Sequence, residues 1–531
     1  MSYISDVMQP FEYQNYWDAD LYLQAPTGSG KTTFILQKIL TLAMKQNRGI
    51  LILCNRSNLV EQYGRDLSKM NIKQLADGDF SLHSFMQAEM VVVKTYHALI
   101  RETALDWKIQ KFGIIVCDEV HALYSDSQFA TGLYVAFQKL VCWSKGRFMM
   151  YVTATGEKIF PLLHNALAKN MPLLYRKVPD DTSLQNFPGL HRIESDYSYL
   201  NTRYLHDLNQ IPSVVANDSN PDSKWMIFVS SVTEGEKIKL GLQKMGIQDC
   251  FFLKKENASS QDGQELNAKM TDEHTFSCRV LISTIVLETG VSIHEDKVRN
   301  IVDLQYSKDV FLQVLGRKRM QEGETLNLFI MTRSRKFFAS KANFSNCILR
   351  EARKIQGLRG WGECQEYIAQ KLLQQSGVDV ISPFVFYKDG FRVNPIAVEK
   401  AQNDLVFYRT VGEQLREDDA AFIKTQLSWL GLEESYSPEN WVDDTKTEDC
   451  RKRLMGEFEK LVGTEPMTLK EFSTVKSELA AILHTFFPTQ VRRDRALSTA
   501  KVCAFLKKMQ LPYAIVEVRD DRKKNYQIVR K

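Results

Sequence analysis

The stretch from Leu21 to Thr33, Leu-Tyr-Leu-Gln-Ala-Pro-Thr-Gly-Ser-Gly-Lys-Thr-Thr, passes from an apolar strand through a glycine turn directly into a helix start. Residues Ala25 to Thr32 fit the P-loop pattern, with alanine in place of the first glycine. Each residue of the loop Pro26, Thr27, Gly28, Ser29, Gly30, Lys31 and Thr32 then has a physical task. Gly28 and Gly30 permit backbone angles that let successive N–H groups turn inward on an anion. Lys31 adds a charge that reaches β- and γ-phosphates, Thr32 offers a hydroxyl to Mg²⁺, and the helix opening there aims its positive end at the same point. The stretch predicts a nucleotide-phosphate cradle.

The chain has 531 residues, which predicts three or four domains. Its net charge of +5 says little about partners, so the placement of charge matters more. Nine cysteines are scattered with no C-x-x-C pair, which argues for a reducing compartment, no zinc and no iron–sulfur cluster. The N-terminal residues lack the basic and apolar regions of a signal peptide, and no apolar run is long enough for a membrane span. A cytoplasmic protein without membrane contact is expected.

Beyond the loop, Ile35, Ile39 and Leu42 form a helical stripe that should pack on a sheet. Gly49 to Cys54 is an apolar strand delivering Asn55, Arg56 and Ser57 at its end, and Val91 to Val93 similarly leads to Lys94, Thr95 and Tyr96. Read alone, either polar tip also fits a solvated loop. The segment Phe112-Gly-Ile-Ile-Val-Cys-Asp-Glu-Val-His121 says more, because a buried strand ends in two adjacent carboxylates. Asp118 can hold Mg²⁺ while Glu119 orients and deprotonates an attacking water. His121 either is structural or couples the site to another lobe. The strand Phe148 to Val152 ends in Thr153-Ala154-Thr155, whose hydroxyls can bond the Glu119 and His121 region.

This order of motifs resembles the superfamily 2 helicases and translocases of the DExH type. Residues 25–32 resemble motif I, Asn55 to Gln62 motif Ia, Thr95 and Tyr96 motif Ic, Asp118 to His121 motif II, and Thr153 to Thr155 motif III. Asn55-Arg56-Ser57, the Asp126 to Phe129 segment and motif VI are similar to a group of bacterial, often mobile-element, helicase-like proteins. Ser230 after the strand Trp225 to Val229 resembles motif IV, and Thr284 to Ile293, with Glu288, Thr289 and Gly290, resembles motif V. In Phe311 to Met320, Gln313, Gly316, Arg317 and Arg319 resemble motif VI, which implies a γ-phosphate sensor and arginine fingers. Arg319 follows Gln313 by six residues instead of seven; on a helix, that contraction would rotate its side chain by about 100°.

The resemblance implies an α/β fold of two tandem RecA-like parallel-sheet lobes, with ATP bound between them. It implies nucleic-acid contacts at Arg56, Thr95, Ser230 and Thr284, a cleft between lobes lined by Glu288 and Thr289 with Gly290 permitting a close turn at the nucleotide, and coupling through His121, Thr153 and Thr155. The expected activity is nucleic-acid-stimulated ATP hydrolysis driving movement along DNA, favoured over RNA, or its unwinding. A duplex translocase serving a separate nuclease and an ATP-gated sensor or origin-binding module share the same motor parts. The partner would accordingly be a nuclease or a replication or defence protein.

The expected divisions are a first lobe over 1–175, a connector over 176–222, a second lobe over 223–345 and a mainly helical region over 346–459. A basic domain over 460–531 completes them. Val378 to Val393 predicts a hairpin about Asp389-Gly390, and the acidic stretch Glu433 to Asp449 predicts a linker or loop. Thr468 to Glu471 is a capping box opening a helix, and the final helix and hairpin resemble a winged helix. Residues 491–531 carry twelve Lys or Arg against four acids, a local +8, which fits a phosphate-binding surface or a solvated basic tail. Tyr513 and Tyr526 are expected to pack the hairpin rather than stack on bases.

Overall fold

The computed structural model describes residues 3–8, 20–70, 91–101, 109–130, 132–170, 187, 189–284, 291–321, 323–358, 361–374, 384–387, 390–442, 445–486, 497–509, 511–520 and 523–530. The chain divides into two compact units, Met1–Asn440 and Trp441–Lys531.

The first unit contains two six-stranded sheets. Strands β1 (Leu21–Gln24), β2 (Gly49–Cys54), β3 (Val91–Thr95), β4 (Phe112–Cys117), β5 (Phe148–Thr153) and β6 (Leu190–Arg192) lie in the order β3-β2-β4-β5-β1-β6. Every pairing is parallel. Their unbroken apolar runs follow from burial on both faces. Ile50, Ile52 and Cys54 enter one core with the P-loop helix residues Ile35, Ile39 and Leu42, while Leu51 and Leu53 enter the other. That helix runs from Lys31, with a π-helical turn over Ile35–Ile39, to Lys45. All strands point the same way, so the loops after β1, β2, β3, β4 and β5 gather along one sheet edge, where α/β folds bind ligands.

The second sheet consists of β7 (Leu200–Leu205), β8 (Lys224–Phe228), β9 (Cys250–Leu253), β10 (Val280–Ser283), β11 (Val298–Asp303) and β12 (Leu326–Met331), in the order β7-β12-β11-β8-β10-β9. It too is entirely parallel. Two parallel sheets of this kind, each with its ligand-binding edge, are tandem RecA-like lobes.

The stretch expected to be a connector over 176–222 instead supplies a strand to each sheet. β6 pairs with β1, and β7 pairs with β12. β7 buries Leu200, Thr202, Tyr204 and Leu205 while exposing Asn201 and Arg203. Asn201 and Arg203 fall on the exposed positions of a period-two strand, which gave the segment its loop-like composition.

Beyond the lobes, helices Arg335–Gln356 and Pro395–Gln414 pack together through Ile348, Leu349, Ala401, Val398 and Leu405. The predicted hairpin is present as β13 (Phe384–Tyr387) and β14 (Gly390–Val393), with Tyr387 opposite Gly390; Asp389 lies outside the described residues.

The second unit runs helix Thr445–Leu461, β15 (Met467–Thr468), helix Leu469–Phe486, helix Thr499–Lys508, β16 (Tyr513–Asp520) and β17 (Lys523–Arg530). Its antiparallel sheet has the order β15-β17-β16, which is winged-helix topology. The expected division at 460 falls near the end of a helix whose Cys450, Leu454 and Phe458 share a core with Leu479, Val502 and Ile528. Acidic residues at the front of that helix masked its apolar stripe. The capping box forms: Glu471 Oε2 accepts from the Thr468 N–H and hydroxyl at 2.8 Å each, and the Glu471 N–H donates to Thr468 Oγ1. Tyr513 stacks on Phe458 and Tyr526 on Phe472, so both tyrosines are packing residues.

Candidate active site

The P-loop leaves β1 with Gly28 and Gly30 at φ of 97° and 82°, conformations that side-chain-bearing residues disfavour. Ser29 closes the turn, its N–H and hydroxyl both donating to the Pro26 carbonyl. Lys31 is buried, donates to the Ala25 carbonyl at 3.2 Å and lies 3.4 Å from Glu119 Oε1.

β4 brings the two carboxylates to the same edge. Asp118 accepts from the Tyr63 hydroxyl at 2.9 Å and from the Glu119 N–H at 3.0 Å, while Tyr96 donates to its backbone carbonyl. Burial, then the neighbouring Glu119 charge, pushes the Asp118 carboxyl up to about 6. For Glu119, burial is outweighed by Lys31, His121 and Arg317, which hold its carboxyl well below the usual range. Glu119 also has a φ of 49°, in the left-handed region that a residue with a Cβ occupies only when its surroundings impose it.

His121 is the hub of this cluster. Its Nδ1 lies 2.9 Å from Thr153 Oγ1 and 3.4 Å from Glu119 Oε2. Its Nε2 lies 2.6 Å from the side-chain amide nitrogen of Gln313 in the second lobe. In a neutral ring with the proton on Nδ1, Nε2 accepts from that amide. Burial lowers the imidazole pKa, but Glu119 outweighs it and the net direction is upward. Thr155 donates its N–H to Thr153 Oγ1, and its own buried hydroxyl has no partner among the described residues.

Motif VI closes over the loop. Helix Lys308–Leu315 ends at Gly316, where an added Cβ would meet Thr27 Cβ at 2.2 Å, so only glycine permits this approach. Beside it, Lys308 pairs with Glu157 of the first lobe at 2.9 Å. Arg317 is buried; burial lowers its pKa to about 10 against the opposing Glu119 charge. The concern about helical register at Arg319 does not apply, because residues 317–319 have left the helix. Lys318 forms a parallel bridge with Ile293, and Arg319 donates through its backbone to Ile293 and through Nε to Ser292. The Arg319 charge is near enough to act on the Arg317 guanidinium, so the two arginines are neighbours. Lys318 turns the other way to Glu324 at 3.1 Å.

The remaining expected contacts are placed as follows. Arg56 is half exposed and pairs with Asp126 at 3.4 Å. Thr95 Oγ1 accepts from the Ala98 N–H, opening a helix at the tip of β3. Ser230 bonds Glu234 through both its N–H and its hydroxyl, and Arg333 reaches the same pair. Thr284 follows β10, while Glu288, Thr289 and Gly290 lie outside the described residues. Sequence reasoning missed Tyr63 and the hydroxyl role of Tyr96, which steady Asp118 from the helices that follow β2 and β3; a tyrosine in an apolar stripe gives no sign that its hydroxyl has a target. Arg333 was missed because its partners Glu234, Ser230 and the Leu304 carbonyl come from distant parts of the chain.

Thr32 and Asp118 offer one hydroxyl and one carboxylate, the sparse donor set that suits Mg²⁺ shared with phosphates and water. Burial first, and the Glu119 charge second, disfavour the ionised Asp118 carboxyl, and a bound cation would offset both. Among the described residues, no group of three or more His, Cys, Asp or Glu side chains is arranged to hold a metal ion by itself. No helix among them is long and apolar enough to cross a membrane.

Residues 2–158 match the family model of the type III restriction enzyme res subunit. No curated protein matches the sequence. Among solved structures, the chain is similar to S. cerevisiae Dbp5 bound to RNA and ADP BeF3, at 15% identity and a TM-score of 0.40, covering 62% of this chain and 82% of that one. It is also similar to the DUF1998 helicase MrfA bound to DNA, at 13% identity and a TM-score of 0.46, covering 74% of this chain and 61% of that one. The match over residues 2–158 spans the stretch that carries this P-loop and this Asp-Glu-Val-His strand tip, so the first of the two RecA-like lobes is similar to that family's model.

Proposed function

We propose that this chain is an ATP-dependent nucleic-acid motor, moving along or unwinding DNA in preference to RNA. The observation that carries the reading is the contact of Gln313 with His121, itself beside Glu119 and Thr153. A general base tied to the opposite lobe makes hydrolysis depend on lobe closure, which is how a motor converts turnover into movement.

In this reading Lys31 and the loop N–H groups bind the β- and γ-phosphates, and Glu119 orients the attacking water and takes its proton. Thr32 and Asp118 would hold Mg²⁺, which when bound neutralises phosphate charge. Arg317 and Arg319 stabilise charge on the transferring phosphoryl group, and Gln313 with His121 reports its presence to both lobes. Arg56, Thr95, Ser230 and Thr284 are the proposed backbone contacts on the nucleic acid. Winged-helix topology and the +8 of residues 491–531 support DNA as the track.

The name of the matched family supports a second form of the reading, a duplex translocase acting beside a separate nuclease. Strand-displacement and triplex-displacement assays, run in parallel with ATP and Mg²⁺, distinguish them. Release of a strand from a duplex assigns unwinding, and release of a third strand alone assigns translocation. Neither activity, under conditions where ATP is hydrolysed, would overturn the motor reading.

A further inference from the structure

Helix Pro395–Gln414 spans 20 residues, about 30 Å, and its two halves engage different lobes. Its first half belongs to the first lobe. Asn394, fully buried, caps the helix by accepting from the Ile396 and Ala397 N–H groups, and its Nδ2 donates to the Ser127 carbonyl at 3.2 Å. Ile396 enters the first-lobe core, and Asn403 donates to the Tyr124 hydroxyl at 2.9 Å. Lys400 lies over the same tyrosine ring. Tyr124 and Ser127 sit in the turns that follow the Asp118 to His121 strand tip, and the Ser125 N–H donates to the His121 carbonyl.

Its second half belongs to the second lobe. Phe407, Tyr408 and Val411 pack with Tyr306, Phe338 and Phe422. Trp429 lies 6.1 Å from Phe407 and 5.3 Å from Phe311, ring to ring, and Phe311 is on the helix that carries Gln313. One element therefore packs against the turns that follow motif II and against the helix that carries Gln313.

We propose that this helix is an interlobe brace that sets how far the cleft opens, with Asn394 and Asn403 as the positioning residues that fasten it to the first lobe. A motor cleft held only by its ligand would open freely between turnovers. A helix anchored along its first half by one buried and one half-buried amide, and along its second by an aromatic cluster, limits that opening. It also delivers any shift of the motif II turns to the motif VI helix. The effect on turnover rests on the motor reading; the effect on lobe separation does not.

The test uses the full chain with spin labels on encoded ketone residues at Lys145 and Lys244, exposed positions of the two lobes, and pulsed EPR distances. Asn394→Asp keeps the cap acceptor and loses the donor to Ser127; Asn403→Leu removes the second tie at similar volume. The double variant is expected to show a broader distribution shifted to longer distance, while Val406→Ser, on the exposed side of the helix, leaves it unchanged. Melting curves identify any variant that fails to fold, and the single Asn403→Leu change then carries the test. In ATP hydrolysis the double variant should lose about tenfold in kcat with KM for ATP within about twofold. An unaltered distance distribution in a folded double variant would overturn the brace. A wild-type chain whose ATP hydrolysis no nucleic acid stimulates would overturn the motor reading and leave the distance test standing.

Discussion

Gln313 of the second lobe meets His121 of the first, amide nitrogen to Nε2 at 2.6 Å, although the two lie 192 positions apart in the chain. The same imidazole faces Glu119 and Thr153, so one side chain joins the proposed base, the motif III strand and the opposite lobe. Gln313→Ala should therefore lower stimulated kcat by about 10²-fold while leaving nucleotide binding nearly unchanged, because the contact acts on closure rather than on the phosphate cradle. Steady-state kinetics beside equilibrium binding of a fluorescent ATP analogue checks this.

Gly316 has no room for a methyl group against Thr27. Gly316→Ala should displace motif VI from the P-loop and reduce turnover to the level of an Arg317→Ala variant, a loss of about 10³-fold or more. The double change Gly316→Ala with Thr27→Gly removes the opposing Cβ and should recover part of the rate. Failure of that rescue, with the fold intact, would assign the loss to Gly316 itself rather than to the contact.

Arg333 is a stability residue. Its guanidinium bonds Glu234, Ser230 and the Leu304 carbonyl, with Arg333 and Glu234 exposed by only 7% and 13%. Removing one member of such a buried pair strands the other charge, so Arg333→Ala should cost about 3 kcal/mol or more. Replacing both, as Arg333→Met with Glu234→Leu, should restore much of it. Urea unfolding followed by Trp225 fluorescence, from a buried residue of the same sheet, measures the difference.

The second unit should contribute affinity more than catalysis. Lys501 lies on the helix before the wing and Lys524 at its tip, the latter in an exposed pair with Glu517 that contributes little stability. Lys501→Ala and Lys524→Ala together should lower the slope of log affinity against log salt by about 1 to 2, with little change in saturated kcat. DNA titrations at several salt concentrations read this directly.

Much of this arrangement was legible in the sequence because its chemistry sits in short runs. The P-loop, the Asp118-Glu119 pair and the Gln313 to Arg319 segment announce themselves by residue type and spacing, and the continuous apolar strands before them report burial on both faces. What was not legible depends on long-range packing. β6 and β7 look like linker because no residue of β6 is buried and Asn201 and Arg203 of β7 face solvent, and Tyr63 and Tyr96 reveal their hydroxyl targets only once β2, β3 and β4 are side by side. The register at Arg319 failed as a helical argument because pairing with Ile293 ends the helix at Leu315. The brace is the extreme case: Asn394 and Asn403 are ordinary residues until the fold brings Ser127 and Tyr124 to them.

The central claim is that two lobes share one hydrolytic site governed by nucleic acid, and the most direct measurement is ATP hydrolysis by the full chain with single- and double-stranded DNA and RNA. Wild-type turnover should rise with DNA, and Lys31→Ala, Glu119→Gln and Arg317→Ala should each abolish that rise. Turnover indifferent to all four nucleic acids, or stimulation that survives in Glu119→Gln, would contradict it.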